Sequence, residues 1–215
     1  MGGGVRDRLL SFRSLTAFGG VALVVAMAVD TEFLDPTEQS AAQAPTFSPA
    51  AYVDEHLPET TRMISEAAVE LPALADALAE DAAAARAEYG VDAGSGAFVF
   101  PVVVTGSVAE VDDRFITLAV DGMPEGADVR IPLTTALNGA PIRDVTGTAL
   151  FGDFANQTEY QEVANEYKLS VRDDVIGALD LAALDGKTLD VVGAWAQGGP
   201  PDTYLIQPVI IGVSG

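Results

Sequence analysis

The residues from Phe98 to Val104, FVFPVVV, form a near-continuous apolar and β-branched run, and Ser107–Val111 carries it on past Gly106. Such a run commits its stretch to a strand. A glycine in its middle predicts a bulge or a barrel bend. Asp112-Asp113 reads as a turn, and Phe115–Val120 alternates as the returning strand. A second turn at Gly122–Gly126 leads into Ala127–Leu133. Two more strands, Lys187–Ala196 and Tyr204–Val213, are joined by a Gly-Gly-Pro-Pro loop at 198–201. Five strands bent at glycines, with a large insertion between the third and fourth, predict an α+β chain. Its centre is a small OB-like barrel spanning 97–213, with the insertion at 134–185.

Upstream of the Ala93–Gly96 linker the texture is helical. Ser48 before Pro49 predicts an N-cap with proline at the first helical position. A short helix carrying Tyr52, Val53 and Leu57 is expected to stop near Pro58, and a second runs on from there with Pro72 as a kink or restart. Leu71, Leu74, Leu78, Ala82, Ala85 and Tyr89 fall on one helical face, and Gly90 reads as a stop residue. These signals outline a helical subdomain at 47–90.

The first 29 residues have three arginines, Arg6, Arg8 and Arg13, followed by an uncharged run from Leu15 to Val29. A basic start before an apolar run is an export segment with the N-terminus held in the cytoplasm. Leu9–Val29 is 21 residues, about the length that spans a bilayer. Ala26-Met27-Ala28 is also a small-x-small cleavage site. The preferred reading is an uncleaved single-pass anchor with the rest extracytoplasmic; the alternative is secretion after cleavage. Asp30–Thr46, 17 residues with two prolines, reads as a tether reaching ~20–25 Å.

Charge then excludes whole classes of partner. The formal net charge is −21, and beyond residue 29 the chain holds eight basic against 31 acidic residues. A surface this negative repels phosphate backbones, which argues against nucleic acid. There is no cysteine, so disulfides, thiolate nucleophiles and lipid attachment through a cysteine are absent from this sequence. One histidine, His56, would have to serve any Ser-His-Asp machinery, and it sits between Glu55 and Leu57 in the helical block. No phosphate loop, nucleophile elbow or metal-ligand cluster is visible, so neither cofactor nor metal is expected.

The densest polar chemistry lies between Asn138 and Tyr160, where Arg143, Asp144, Asp153, Asn156, Gln157 and Glu159 are interleaved with Phe151, Phe154 and Tyr160. The amides Asn156 and Gln157 have two readings. They satisfy loop backbone where the insertion crosses the barrel, or they read sugar hydroxyls with Tyr160 or Trp195 as a stacking platform. Arg143 and Asp144, if in a strand, would face opposite ways, with Arg143 a buried partner of Glu159 or Asp153. Asp144, Asp153 and Glu159 could supply a glycosidase's two carboxylates, yet in a chain with 32 acids such proximity arises by chance.

Four ordered elements carry a family resemblance: Gly139-Ala140-Pro141-Ile142-Arg143-Asp144, Phe154–Tyr160, Val192-Gly193-Ala194-Trp195 and Ile206-Gln207-Pro208. Together they resemble the predicted periplasmic lipoproteins grouped as domain of unknown function 2291, over about residues 47–213. The resemblance implies an OB-like barrel with a helical subdomain. It also implies a non-enzymatic, extracytoplasmic accessory to a sugar ABC transport system, with a sugar permease or its substrate-binding protein as partner. A stand-alone carbohydrate- or envelope-binding barrel is the alternative, and a glycan-acting enzyme the third. Lacking cysteine, this chain departs from the lipoprotein pattern, and its tether would be the N-terminal helix.

Overall fold

A computed structural model describes residues 47–94, 96–136 and 139–215. Within them Phe98–Val111 is one 14-residue strand, the longest in the fold.

Helix α1, Pro49–Ala67, starts where Ser48 accepts a hydrogen bond from the Ala51 N–H at 3.2 Å, with Pro49 in the first turn. The expected stop at Pro58 does not occur. Pro58 lies on the exposed side of the helix, so the Asp54 carbonyl that loses its donor is left to water. The opposite face buries Val53, Thr60 and Ile64, and this stripe holds the helix on course through the proline. Strand β1 (Val69–Glu70) then pairs in parallel with Val102 and Val103.

Helix α2, Leu71–Glu80, has Pro72 in its first turn. The apolar row expected to continue unbroken to Tyr89 is cut at Asp81. Its Oδ1 accepts from the Ala83 and Ala84 N–H groups at 3.0 Å and starts helix α3, Ala82–Tyr89. Gly90 ends that helix, though not by a left-handed turn, since its φ is −98°. A methyl there would lie 2.8 Å from the Arg86 carbonyl and 3.0 Å from the rings of Phe98 and Phe100. Close approach to the sheet is what demands glycine.

After β2 (Val91–Asp92) come β3 (Phe98–Val111), β4 (Phe115–Ala119), β5 (Asp128–Pro132), β6 (Thr188–Ala196) and β7 (Thr203–Ser214). Strand β3 pairs with β4, β4 with β5, β5 in parallel with β7, β7 with β6, and β6 again with β3. The five-strand sheet therefore closes on itself, which removes its edges. Phe100, Val102, Val104, Ile116, Ile131, Leu189 and Ile206 are fully buried in the core, the larger of them worth ~1.5–3 kcal/mol each. Residues Val99–Val102 of β3 are buried on both faces because α1, α2 and α3 pack against that strand. Past Val104 burial alternates, which is why the apolar run thins there. Gly106 marks close approach to β4, where a methyl would meet Val120 Cγ2 at 2.8 Å; the register shift itself falls between Val108 and Glu110.

The segment between β5 and β6 holds a short helix α4 (Pro141–Asp144), helix α5 (Gln157–Ser170) and a π-helical turn over Val171–Ile176. Helix α5 packs against α1. Phe47–Gly215 forms one compact unit, so the helices of 47–90 belong to the same body as the closed sheet, not to a separate subdomain. Among the described residues no helix is long and apolar enough to cross a membrane. The export segment at 1–29 and the tether at 30–46 lie outside the described residues, as does Asn138.

Candidate functional site

Pro141 opens the single turn of α4 and sets Arg143 and Asp144 side by side on a helical turn. They are therefore partners, not residues on opposite faces of a strand. Arg143 Nε donates to Asp144 Oδ1 at 2.7 Å, Nη1 donates to the Tyr160 carbonyl at 2.8 Å, and the guanidinium lies 3.5 Å from the Tyr160 ring centroid. Only 9% of the Arg143 side chain and 13% of Asp144 remain exposed. The expected pairing of Arg143 with Glu159 or Asp153 is not made. Tyr160 Oη stands 3.4 Å from Asp144 Oδ1, and burial first, then the Asp144 charge, pushes the phenol above its usual range.

The same turn faces helix α5 across a cavity of about 310 Å³. Gln157, Gln161, Asn165 and Lys168 line it from one face of the helix, at spacings of four, four and three residues. Lys168 is 9% exposed, and burial, with Arg143 nearby, lowers its amine below the usual lysine range against the pull of Asp144. Gln161, Asn165 and Lys168 were not singled out in the sequence. The usable signal was there: Lys168 is one of only eight basic residues past residue 29, on the helical face that Gln157 begins.

The other members of the polar stretch hold the backbone. Asn156 Oδ1 accepts from the Glu159 N–H at 3.0 Å and caps α5, while Glu159 Oε2 reaches back to the Ala155 N–H at 3.0 Å. Asp153 Oδ2 accepts from the Leu150 N–H at 3.0 Å. Phe154 packs among Phe47, Tyr52 and Tyr160, with ring centroids 5.3–5.8 Å apart. His56 Nδ1 lies 2.7 Å from the Tyr52 carbonyl, which can only accept, so that nitrogen carries the proton.

Trp195 does not join this cluster. It stacks on Phe100, its cross-strand neighbour, at 5.4 Å, and meets Tyr204 of β7 at 4.9 Å. Tyr204 and the mostly buried Trp195 line one side of a larger groove of about 720 Å³ between α2, α3 and the Gln197–Asp202 loop. Arg86 Nε donates to Gln197 Oε1 at 2.7 Å on its rim. Asp202 holds a left-handed backbone, φ 57°, to bring the loop into β7, and Tyr204 is pushed up by burial and then by Asp202. Asp202 is the one carboxylate among the described residues lining this groove, as Asp144 is in the smaller cavity. Among the described residues no group of three or more His, Asp or Glu is placed to hold a metal ion.

The family described as "Predicted periplasmic lipoprotein (DUF2291)" matches residues 20–212. No curated protein sequence matches the chain. Among solved structures, the crystal structure of an OB-fold protein from Thermotoga maritima matches with a TM-score of 0.64 and 17% identity, covering 78% of this chain and 99% of that one. At that identity the likeness is one of fold, and it agrees with the strand cycle described above.

Proposed function

Because the chain belongs to the DUF2291 family of predicted periplasmic lipoproteins, we propose that it is an extracytoplasmic module that works by binding and contact, without catalysis, as an accessory to a sugar transport system of the ATP-binding-cassette type. The observation that carries the binding reading is the groove under Trp195 and Tyr204. An aromatic wall beside a polar rim, Arg86 and Gln197, is the surface on which sugar rings stack while their hydroxyls are read. A glycosidase needs two facing carboxylates ~5–10 Å apart. Among the described residues each of these two cavities is lined by one carboxylate, which supports binding over hydrolysis. The transporter as partner rests on the family resemblance. A sequence without cysteine offers no thiol for a lipid, so the apolar run before Val29 would be the anchor.

Affinity purification of the full chain from gently solubilised membranes tests this. A sugar permease or a substrate-binding protein should co-purify, and deletion of the gene should slow uptake of one sugar class. A stand-alone carbohydrate-binding module is the second reading, favoured by the same groove. It replaces the first if no transporter component co-purifies while the chain binds glycans.

A further inference from the structure

Leu150 and Phe151 are neighbours in the chain, and they are 60% and 51% exposed. The other two exposed large apolar residues among those described, Ile210 and Val213, lie three apart on β7 and so point to opposite faces of the strand. The tip at Leu150–Phe151 is held in place. The Asp153 N–H donates to the Leu150 carbonyl at 2.9 Å and closes a single 3-10 turn, Phe151–Asp153. The Asp153 carboxylate, the nearest charge in sequence, is turned back onto the Leu150 N–H at 3.0 Å. Behind the tip the Phe151 ring meets Tyr160 edge-on, centroids 5.6 Å apart. The stretch Val145–Gly152 is uncharged, so the tip can leave water without stripping an ion of its hydration.

From this geometry we infer that Leu150 and Phe151 are an insertion tip that seats the domain on the surface of a lipid bilayer. Connectivity favours that occupant. Phe47, where the described chain begins, is where the sequence arrives from the apolar run ending at Val29. Three ring contacts lead from there to the tip: Phe47 to Phe154 at 5.8 Å, Phe154 to Tyr160 at 5.4 Å, and Tyr160 to Phe151. A 17-residue tether reaching ~20–25 Å is shorter than a domain of this size is wide, ~40 Å, so the side bearing Phe47 is kept toward the membrane. Size favours it too. A specific protein interface takes ~20–30 residues a side, whereas an interfacial anchor buries a few apolar side chains among the headgroups. Charge then selects the lipid: eight basic against 31 acidic residues beyond residue 29 repel anionic headgroups, so the tip seats on zwitterionic lipid by apolar burial alone. Two side chains are too few to recruit the chain; they orient a domain that the anchor already holds. The inference rests on the anchor reading given above and is independent of the sugar and the transporter.

The chain has no cysteine, so a single introduced one takes a label cleanly. The full chain carrying Leu150→Cys, or as control Asp113→Cys in the exposed β3–β4 turn, is labelled with nitrobenzoxadiazole and reconstituted with phosphatidylcholine vesicles, with and without doxyl-labelled lipid. Flotation reads the anchor and quenching reads the tip. The chain should float, and doxyl lipid should quench the probe at position 150 at least about threefold more than the probe at 113. Adding Phe151→Ser should remove about half of that quenching while the chain still floats and melts near the parent. Flotation with equal quenching at the two positions would overturn the tip and leave the anchor standing. A chain that does not float would overturn both. A probe at 150 that is shifted to the blue yet unquenched by doxyl lipid would show protein covering the tip, and would overturn the bilayer as its occupant.

Discussion

Replacing Gly193 by alanine probes the closure of the sheet where it is tightest. In the β6–β7 ladder the register shifts between Val192 and Gly193, so that Gly193 faces Pro208 while Val192 faces Ile210. Pro208 has no N–H to give the ladder, and the strand bulges there. A methyl on Gly193 would overlap the Gln207 carbonyl oxygen, and would lie 2.9 Å from Pro208 Cα and 3.0 Å from the Gln207 carbonyl carbon. All three are backbone atoms, so no rotamer change relieves them, and β7 must move by about an ångström to bring the Gln207 oxygen to ordinary contact at 3.4 Å. Overpacking of this kind costs ~3 kcal/mol at the upper end of its range. The smaller unfolded-state entropy of alanine returns ~0.4–1 kcal/mol, for a net loss of about 2 kcal/mol. For a domain of this size that is a fall of ~4–8 °C in Tm, read by circular dichroism. Gly212→Ala, two residues past Ile210 on the same strand, is the control. Its methyl would meet Asp190 alone, at ordinary distances of 3.7 Å from Cβ and 3.8 Å from the carbonyl oxygen, so melting should hold or rise slightly. A Gly193→Ala protein melting within a degree of the parent, or equal losses at both positions, would refute the bulge geometry.

Asn156→Ala removes the cap of α5 and should cost ~1 kcal/mol in urea denaturation, with fluorescence from the Trp195 groove unchanged. Pro58→Ala restores a donor to the Asp54 carbonyl on the exposed side of α1 and should stabilise by ~1–3 kcal/mol. Lys168 gives a pH signature: its folded amine titrates below its usual value of 10.5, so between the two values the unfolded chain binds more protons and stability rises with pH. The parent's stability relative to Lys168→Met should therefore climb through that alkaline window; a flat difference would show that the amine is not perturbed.

Much of the fold could be read from residue order, because strands announce themselves through branched side chains and turns through Asp and Gly. Each of the five long strands ends within a residue or so of its expectation. What escaped was set by tertiary packing. Pro58 looks like a helix stop to any local rule, and only the buried stripe of Val53, Thr60 and Ile64 overrides it. Asp81 lies off the apolar row but within its span, and it becomes a cap because its side chain can turn back on Ala83 and Ala84. The polar stretch looked like one cluster, since Arg143, Asp153, Asn156 and Glu159 are neighbours in sequence. In space it divides into caps and a cavity wall, and the other wall comes from residues a helical turn or more further on, such as Gln161, Asn165 and Lys168. The groove was harder still. It joins Arg86 to Gln197 and Trp195 to Tyr204, and no local pattern links helix α3 to the β6–β7 loop.

Trp195 is the only tryptophan in the chain, and it stands in the wall of that groove. Its fluorescence, followed while the full chain is titrated with a panel of neutral oligosaccharides, tests the binding reading most directly. A saturable change in emission with at least one sugar class, lost in Gln197→Ala while melting is retained, is the predicted result. Emission that stays flat across the panel in a folded chain would contradict it.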